Sequence, residues 1–397
     1  MLSTSLLEIK CKAIETNVHF TRQLVGPKVI ISAVIKGNAY GHGVEVAIPA
    51  LEYSGVNHFA VFSSSEARKA FKVMDSSNTL MIMGFIFEED LKWIIQHHIE
   101  FYISNIEILI KAIDFSKALK IPARIHIDVE TGMNRTGLLL KELKKVIPII
   151  NENKEHLMLQ GLTSHLAGAE SIANYTRIKK QLVVFRKRRK LLYDNGIKPK
   201  LQHIASSAAT ISYPDTRLDM VRTGVLLYGY WPTKETFINY IHRRKDKSDP
   251  LKRAIIWRTQ VMETKTVPEG EFIGYGLSFQ AQNNMKIMIV PVGYCNGYSR
   301  SLSNNGHVLV KGQRAHIIGG VNMNMILCDI SMIKEKINIG DEVVLIGQQG
   351  NMEISFTSFA DMNNSLNYEI LARLPENIQR VCTIDDLGYS TALETYI

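Results

Sequence analysis

Short apolar runs alternate, along the first 230 residues, with longer segments in which apolar residues recur at helical spacing. Runs of this kind, separated by amphipathic helices, are typical of repeated strand–helix units that build a parallel sheet. Ser63, with Glu66 three residues later, predicts a capped helix start after the second run. Eight units over roughly 200 residues favour a closed (β/α)8 barrel of the TIM type over an open doubly wound sheet. The runs begin at Val29, His58, Thr79, Ile99, Ala123, Met158, Lys200 and Leu218.

The pattern changes after Asp249-Pro250, where short predicted strands are separated by turns rich in Pro, Gly and Asn. This change predicts a second, mainly β domain in an α/β protein whose 397 residues are enough for two cores. We expect the barrel over residues 1–240, the C-terminal mainly β domain over 250–382, and a tail without an assigned role over 383–397. For roughly the first ten residues, packing against the β domain is an alternative.

Composition and charge argue against several classes of protein. The sequence contains no run of about 18 uncharged apolar residues that could span a membrane. Glu8 interrupts the N-terminus before the apolar core of a signal peptide develops, so we expect a cytoplasmic protein. The formal net charge is +9, but the densest basic run, residues 242–253, contains acids and no aromatic residue, which favours a solvated linker over a nucleic-acid surface. We expect free thiols and no metal site at the four scattered cysteines, which are Cys11, Cys295, Cys328 and Cys382.

Polar side chains cluster where several predicted strands end. In a parallel barrel the carboxyl ends of the strands share one mouth, which is where active sites of such barrels are found. One mouth would therefore collect all of these residues. They are Lys36 after the first strand, Asp128 and Arg135 after the fifth, His165 after the sixth, His203, Ser206 and Ser207 at the seventh, and Arg222 at the eighth.

Lys36 directly follows the apolar run VIISAVI and would project into that mouth. Burial lowers a lysine pKa and makes its amine a nucleophile that forms Schiff bases. A lysine that snorkels at the strand end explains the residue equally well when it is considered alone. The glycines of the following GNAYGHG form neither a dinucleotide fingerprint nor a P-loop, so we expect a tight turn. Ser207 and residues 222–224 would add donors suited to an anionic phosphate, although capping or turn roles explain each fragment alone.

Eight motifs, taken in order, resemble the alanine racemase family: AVIKGNAYGHG, ETGMNRTG, SHLA, HIASSAA, MVRTG, GYGLS, VGYCNGYSR and NYEIL. The match to this family runs from about Leu6 to Arg380, and the ordered set is far more specific than any single motif. The resemblance implies a barrel followed by a β domain and a homodimer with shared active sites. It also implies a racemase that uses pyridoxal 5'-phosphate, acts on a small amino acid, alanine first, and supplies D-alanine for cell-wall precursors.

The resemblance further implies a role for each site residue. Lys36 would hold the cofactor as a Schiff base and act as one catalytic base, while Tyr275, contributed by the partner subunit, would act as the other. The cofactor-binding positions are Lys36, Tyr40, His165, Ser207, Arg222, Gly224 and Tyr368. The substrate-binding positions are Arg135 and Met323, and the supporting ones are Asp128, His203, Tyr294 and Asn324.

Four positions depart from the usual pattern of that family. Asp128 stands where many members carry a carbamylated lysine, and we hypothesise that its carboxylate orients Arg135 directly. Asn296 and Asn324 replace aspartates, and Gly320 replaces an arginine. Two alternatives to an alanine racemase therefore stay open: a racemase whose substrate is serine or another small amino acid, and a degenerate homologue that binds the cofactor with altered or no activity. A basic amino-acid decarboxylase finds no support because its EPGR motif is absent. A single-domain, non-catalytic cofactor-binding barrel is a further alternative, but such a protein would lack the second domain that this sequence predicts.

Overall fold

An eight-stranded parallel barrel forms the first part of the protein, in a computed structural model that describes residues 4–242, 244–356, 359 and 367–383. Strands β2 to β8 pair in chain order, and β9 pairs with β2. The N–H of Arg222 donates to the carbonyl oxygen of Ala205 at 2.9 Å, which joins β8 to β9 and completes the ring. Every strand falls on a run identified in the sequence, so the predicted fold class is confirmed. The strands are β2 (Ile30–Val34), β3 (His58–Val61), β4 (Thr79–Ile82), β5 (Glu100–Ile103), β6 (Ala123–Asp128), β7 (Leu157–Thr163), β8 (Leu201–His203) and β9 (Met220–Thr223).

Helices connect these strands, and α3 shows why they begin where they do. The Ser63 hydroxyl accepts from the N–H of Glu66, whose carboxylate accepts in turn from the N–H of Ser63, both at 3.3 Å, as the sequence predicted. Among the described residues, no helix is both long and apolar enough to cross a membrane. The helices are α1 (Cys11–Val25), α2 (Val44–Tyr53), α3 (Ser64–Phe71), α4 (Leu91–Gln96), α5 (Ile106–Leu119), α6 (Leu140–Glu152), α7 (Tyr175–Asp194), α8 (Ser207–Ser212) and α9 (Lys234–His242).

A second sheet forms the core of the C-terminal part and includes the strand at the start of the chain. In this strand, β1 (Ser5–Lys10), the inward side chains Leu7 and Ile9 are fully buried. It lies between β10, with which it pairs antiparallel, and β18, with which it pairs parallel. The remaining elements are β10 (Ile255–Gln260), β11 (Glu263–Val267), β12 (Met285–Val290), β13 (His307–Val310), β14 (Gln313–Ile317), β15 (Ile326–Asp329), β16 (Glu342–Gln349), β17 (Met352–Ile354), α10 (Asn367–Ala372) and β18 (Gln379–Thr383).

The described residues divide into two compact units. The barrel unit comprises Ala13–Lys36 and Ile48–Lys252. The β unit comprises the described residues of Met1–Lys12, Gly37–Ala47 and Arg253–Ile397. The short segment after Lys36 therefore belongs to the β unit, which the alternation of strands and helices does not indicate.

Cys11 and Cys382 form a disulfide within the β unit, which corrects the expectation that all four cysteines are free thiols. Cys11 directly follows β1, and Cys382 lies opposite Ile9 in the parallel pairing of β1 with β18. Their Cα atoms are 6.0 Å apart although 371 residues separate them in sequence, so only the sheet topology brings them together. Cys295 and Cys328 are free, the first exposed and the second buried.

Candidate active site

Lys36 lies at the carboxyl end of β2, directly after the buried Ile35. Its side chain is open to solvent in part, yet the protein around the amine desolvates it, and this burial lowers the pKa of Lys36. The positive charge of Arg135 lowers that pKa further; the carboxylate of Glu66 opposes it, and Arg222 adds a smaller lowering effect. The amine of Lys36 is therefore neutral for a larger fraction of the time than that of an ordinary lysine. The neutral amine is the form that attacks a carbonyl carbon.

A left-handed turn follows Lys36 in the β unit. The four residues 37–40 all have positive φ, between 52° and 61°. Such a conformation costs roughly 1 kcal/mol for each residue that carries a Cβ, so surrounding contacts must hold it. The side chain of Asn38 accepts from the N–H of Val44 at 2.9 Å, and the Arg380 guanidinium donates to the carbonyl oxygen of Gly41 at 2.9 Å.

The same turn packs on helix α10, which carries Tyr368. A Cβ at Gly41 would collide with the carbonyl oxygen of Leu371 in that helix, so only glycine permits the approach. Tyr40, at the end of the turn, and Tyr368 consequently lie on two segments of the β unit that are in contact with each other. The expected tight turn is present, but its left-handed form was not foreseen.

Arg222 lies at the end of β9 and is 6% exposed. Its Nη1 donates to Nδ1 of His203 at 2.6 Å and to the hydroxyl of Thr163 at 3.1 Å, and its Nη2 donates to the carbonyl oxygen of Ser164 at 2.9 Å. No group in the described parts of the chain accepts from the Nε–H of Arg222. This N–H is thus available to a ligand, and the guanidinium can donate a hydrogen bond there without giving up a proton.

A series of buried side chains continues from Arg222 through the barrel interior. Nε2 of His203 lies 2.9 Å from Nδ1 of His126, and Nε2 of His126 lies 2.8 Å from the carboxylate of Glu100. Burial lowers the pKa of both histidines, so both imidazoles are neutral. Although burial opposes it, hydrogen bonds from His126 and His58 hold the pKa of Glu100 well below its ordinary range. The sequence analysis identified His203 but missed His126, Glu100 and His58. Their only signal in the sequence is that they are polar residues inside apolar strand runs.

Asp128, at the end of β6, is 6% exposed, and this burial raises the pKa of its carboxyl from 3.8 to about 6. Its carboxylate accepts from the hydroxyl of Thr136 at 3.1 Å. Arg135 is exposed, and among the described residues no ion pair joins it to Asp128, so the direct pairing hypothesised from the sequence is not formed; the Arg135 charge only lowers the pKa of Asp128, against the larger effect of burial. The loop explains the difference, because the carboxylate of Glu130 accepts from the N–H groups of residues 132–134 and fixes the turn before Arg135.

Ser207 and Gly224 are joined by a hydrogen bond from the Gly224 N–H to the Ser207 hydroxyl oxygen at 3.0 Å. Because the oxygen accepts in this bond, the Ser207 O–H can donate to a further group. The neighbouring Ser206 caps α8 instead, accepting from the N–H of Ala209 at 3.5 Å. Of the two serines, Ser207 is therefore the one suited to an anionic ligand.

His165 lies beside Arg222, with its Nδ1 3.5 Å from Nη2 of the guanidinium. Burial, followed by the charges of Arg222 and Arg135, lowers the pKa of His165 to about 3. Its imidazole is therefore neutral at physiological pH and adds no charge to this part of the barrel.

The other site residues predicted from the sequence lie in the β unit and are exposed. Tyr275 is 81% exposed, Met323 56% and Tyr294 43%. The amide of Asn324 is 2.9 Å from the sulfur of Cys295. Among the described residues, no group of three or more His, Cys, Asp or Glu side chains could hold a metal ion.

Comparison with known proteins identifies the family. Residues 9–232 match the model of the alanine racemase N-terminal domain, and residues 254–382 match that of the C-terminal domain. The chain is 32% identical over 386 residues to the alanine racemase of Methanococcus maripaludis, covering 94% of this chain and 97% of that protein. The chain belongs to the alanine racemase family. The resemblance seen in the sequence motifs is thereby confirmed.

Solved structures from the alanine racemase family share the fold. The alanine racemase of Bacillus anthracis with bound L-Ala-P superposes with a TM-score of 0.88 at 27% identity, covering 97% of this chain and 96% of that one. The alanine racemase of Bartonella henselae with covalently bound pyridoxal phosphate gives 0.82 at 26% identity, covering 96% and 100%. The barrel and the sheet-rich second part thus recur together in this family.

One of the departures from the usual alanine racemase pattern has a local explanation. The side-chain oxygen of Asn296 accepts from the N–H of Gly293 at 3.0 Å, and so supports the turn that carries Tyr294. An aspartate could accept in the same way, so the asparagine keeps the turn while removing a negative charge. Nothing in the structure explains Gly320.

Proposed function

We propose that this protein interconverts L- and D-alanine with pyridoxal 5'-phosphate as its cofactor. The observation that carries the proposal is the match to alanine racemases over nearly the whole chain, in both parts of the molecule. The positions of the barrel residues support it, because Lys36 directly follows the end of β2 and Arg222 lies in the last half of β9, near the carboxyl ends of the strands, where such barrels hold their sites.

The residues of the barrel unit suit this cofactor. The amine of Lys36, with its lowered pKa, suits covalent attachment to the aldehyde carbon, and the Nε–H of Arg222 suits the pyridine nitrogen. The hydroxyl of Ser207 and the backbone at Gly224 would hold the phosphate. The family resemblance adds Tyr40 and Tyr368 to the cofactor-binding positions. When bound, pyridoxal phosphate withdraws electrons from the amino acid and makes its Cα–H bond acidic.

Racemisation requires that a proton leave one face of Cα and that another arrive at the opposite face. We assign the first position to Nζ of Lys36 and the second to the phenol oxygen of Tyr275, so that each group accepts in one direction and donates in the other. A tyrosine has an ordinary pKa of about 10 and needs positive charge nearby to act as a base. Arg135 would supply that charge and bind the substrate carboxylate, with the backbone N–H of Met323 assisting.

We infer a homodimer, as the family resemblance implies, and the exposure of Tyr275 supports it. Its phenol is 81% exposed in the single chain, whereas a base that acts on Cα must work in a site from which water is excluded. We infer that Tyr275 of the partner subunit completes each site, with Tyr294 at the entrance. Sedimentation of the purified protein should give the mass of a dimer.

Activity is tested by incubating the purified protein with L-alanine and pyridoxal phosphate and separating the enantiomers by chiral chromatography. D-alanine should accumulate toward equal amounts of both enantiomers. Lys36→Ala should abolish both the product and the absorbance of the covalently bound cofactor, whereas the exposed control Lys28→Ala should change neither. A persistent absorbance band with no D-product from any small amino acid would instead favour the degenerate homologue.

The two-base assignment is tested separately with Tyr275→Phe, for which Tyr53→Phe, at another exposed tyrosine, is the matched control. Loss of the phenol should slow solvent-proton exchange at Cα of one enantiomer by roughly a hundredfold or more relative to the other, since a general base contributes about that much. Equal slowing for both enantiomers would contradict the assignment of one base to each face.

We also infer that the protein works in the cytoplasm and supplies D-alanine for cell-wall precursors. Both inferences come from the family to which the chain belongs. Fractionation of the source cells, together with a test of whether loss of the gene creates a requirement for D-alanine, would check them.

A further inference from the structure

We propose that Glu100 is a positioning residue for Arg222. By accepting a hydrogen bond from His126, Glu100 sets where the protons of His126 and His203 reside, and thereby keeps His203 as an acceptor that orients the guanidinium. The proposal rests on the proposed role of Arg222 toward the cofactor. It also predicts properties of the histidines that can be measured without cofactor or activity.

The direction of the hydrogen bonds follows from the chemistry of the two ends. A guanidinium can only donate, so Nδ1 of His203, 2.6 Å from Nη1 of Arg222, must accept. A neutral His203 then carries its proton on Nε2 and donates to Nδ1 of His126 at 2.9 Å. A neutral His126 in turn carries its proton on Nε2 and donates to the carboxylate of Glu100 at 2.8 Å. One arrangement of protons satisfies the whole series, and Glu100 terminates it.

Gly161 on β7 leaves the space in which His126 and His203 meet. A Cβ at this position would collide with Nδ1 of His126 and lie 3.0 Å from Nε2 of His203. Both histidines are fully buried, so water cannot replace the contact from outside. The absence of a side chain at Gly161 is therefore a condition for the link between the strands that carry the two histidines, β6 and β8.

On its other side, the carboxylate of Glu100 is contacted by another buried histidine, His58. The hydroxyl of Ser32, on β2, lies 2.9 Å from Nδ1 of His58, whose Nε2 is 3.4 Å from the carboxylate of Glu100. His58 and Glu100 are each 5% exposed, and Ser32 is fully buried. His58 therefore supports the carboxylate from outside the path that leads to Arg222, and it provides a matched control.

Imidazole nitrogen resonances of protein labelled with 15N-histidine test the proposal directly in the absence of cofactor. The chain has 12 histidines, and the signals of His126 and His203 are identified by their loss in His126→Asn and His203→Asn. In the native protein both should show the neutral form protonated on Nε2. A mixture of the two neutral tautomers at His203 in the native protein would overturn the proposal.

Glu100→Leu removes the acceptor, whereas Glu100→Gln keeps an acceptor oxygen of nearly the same shape without the charge. We expect Glu100→Leu to redistribute the proton of His126 and of His203 between their nitrogens, and Glu100→Gln to retain most of the native pattern. Native tautomers in Glu100→Leu would overturn the proposal. The proposal would also be overturned if Glu100→Gln redistributed the histidine protons as much as Glu100→Leu does. In that case the charge of Glu100, and not its ability to accept a hydrogen bond, would be decisive.

Gly161→Ala interrupts the same series at a different point and removes no polar group. The residue has an ordinary backbone conformation, so the added methyl acts mainly through its collision with His126. We expect the signals of His203 to change while those of His58 remain. The control His58→Gln should leave His126 and His203 native; if it shifts them as strongly as Glu100→Leu does, the effect is general loosening and the proposal is wrong.

The consequence for the cofactor is measured by absorbance titration with pyridoxal phosphate. Misplacement of Arg222 should weaken the affinity roughly tenfold in Glu100→Leu and Gly161→Ala, the loss expected for one hydrogen bond to a charged group. Tautomer changes without any change in affinity or in the cofactor spectrum would overturn the link to Arg222. Native protein that binds cofactor but racemises nothing would count against the proposed function and leave this test intact.

Discussion

Asp128 provides a quantitative prediction because its burial has a known sign and size. Burial raises the pKa of its carboxyl from 3.8 to about 6 in the folded protein. In the unfolded chain the carboxyl is hydrated, so its pKa returns to the ordinary value. Folding therefore favours the protonated acid, and an ionised Asp128 destabilises the native state.

The size of the effect follows from this difference. A rise from 3.8 to about 6, at about 1.4 kcal/mol for each pH unit, corresponds to about 3 kcal/mol. Below about pH 3 the carboxyl is protonated in both states, so that stabilisation is fully present. As the pH rises through the folded pKa of about 6 it is lost, and above about pH 7 the native state lacks it entirely.

Asp128→Asn tests this reasoning, because the amide resembles the protonated acid and can still accept from the hydroxyl of Thr136. We expect the free energy of unfolding of the variant minus that of the native protein to be about 3 kcal/mol larger at pH 8 than at about pH 3, because only the native protein loses stability as Asp128 ionises. Urea unfolding followed by tryptophan fluorescence measures it, since Trp93 and Trp231 both lie in the barrel unit.

Asp114→Asn, at an exposed position of α5, is the control and should show no such difference between the two pH values. A variant of Asp128 that is less stable than the native protein at pH 8 would refute the reasoning. That outcome would mean that a positive group, with Arg135 as the first candidate, stabilises the carboxylate.

Two further predictions concern the phosphate-binding positions and the left-handed turn. Ser207→Ala removes the acceptor for the Gly224 N–H and a donor to phosphate, so the affinity for pyridoxal phosphate should fall roughly tenfold by absorbance titration. Ser206→Ala should cost about 1 kcal/mol of stability as a lost helix cap without changing that affinity; equal affinity losses would contradict the division of roles. Gly41→Ala should lower the free energy of unfolding by more than about 3 kcal/mol in urea titration, because the methyl collides with Leu371. Gly55→Ala, at a similar φ but with open space around it, should cost only about 1 kcal/mol, and a similar loss in both would mean that backbone strain alone decides.

Much of the barrel could be predicted from the sequence because its strands are buried on both faces and therefore read as continuous apolar runs. The positions of Lys36, Ser207 and Arg222 followed from the rule that strand ends share one mouth, without knowledge of any contact. The family motifs then added residues of the second part, such as Tyr275, for which periodicity alone gives no signal. Local pattern and chain order were sufficient for these features.

Contacts between distant residues could not be predicted in this way. The disulfide between Cys11 and Cys382 depends on a parallel pairing of the first and last described strands, which no local pattern indicates. The left-handed turn is similar, because Ala39 and Tyr40, unlike glycine and asparagine, do not favour positive φ on their own. The turn is held by Arg380, 339 residues after Gly41, so its conformation is a property of the folded β unit.

The polar interior of the barrel shows most clearly how these long-range contacts depend on one another. A buried guanidinium is unfavourable unless its hydrogen bonds are satisfied, and both terminal nitrogens of Arg222 meet this condition through His203, Thr163 and Ser164. His203 in turn requires an acceptor for its own proton, which creates the need for His126, and His126 creates the need for Glu100. Each replacement of one member by an apolar residue leaves the next unsatisfied, so single substitutions should be more damaging than their separate contacts suggest. Glu100 consequently depends for its role on Arg222, although the path between them runs through two other side chains.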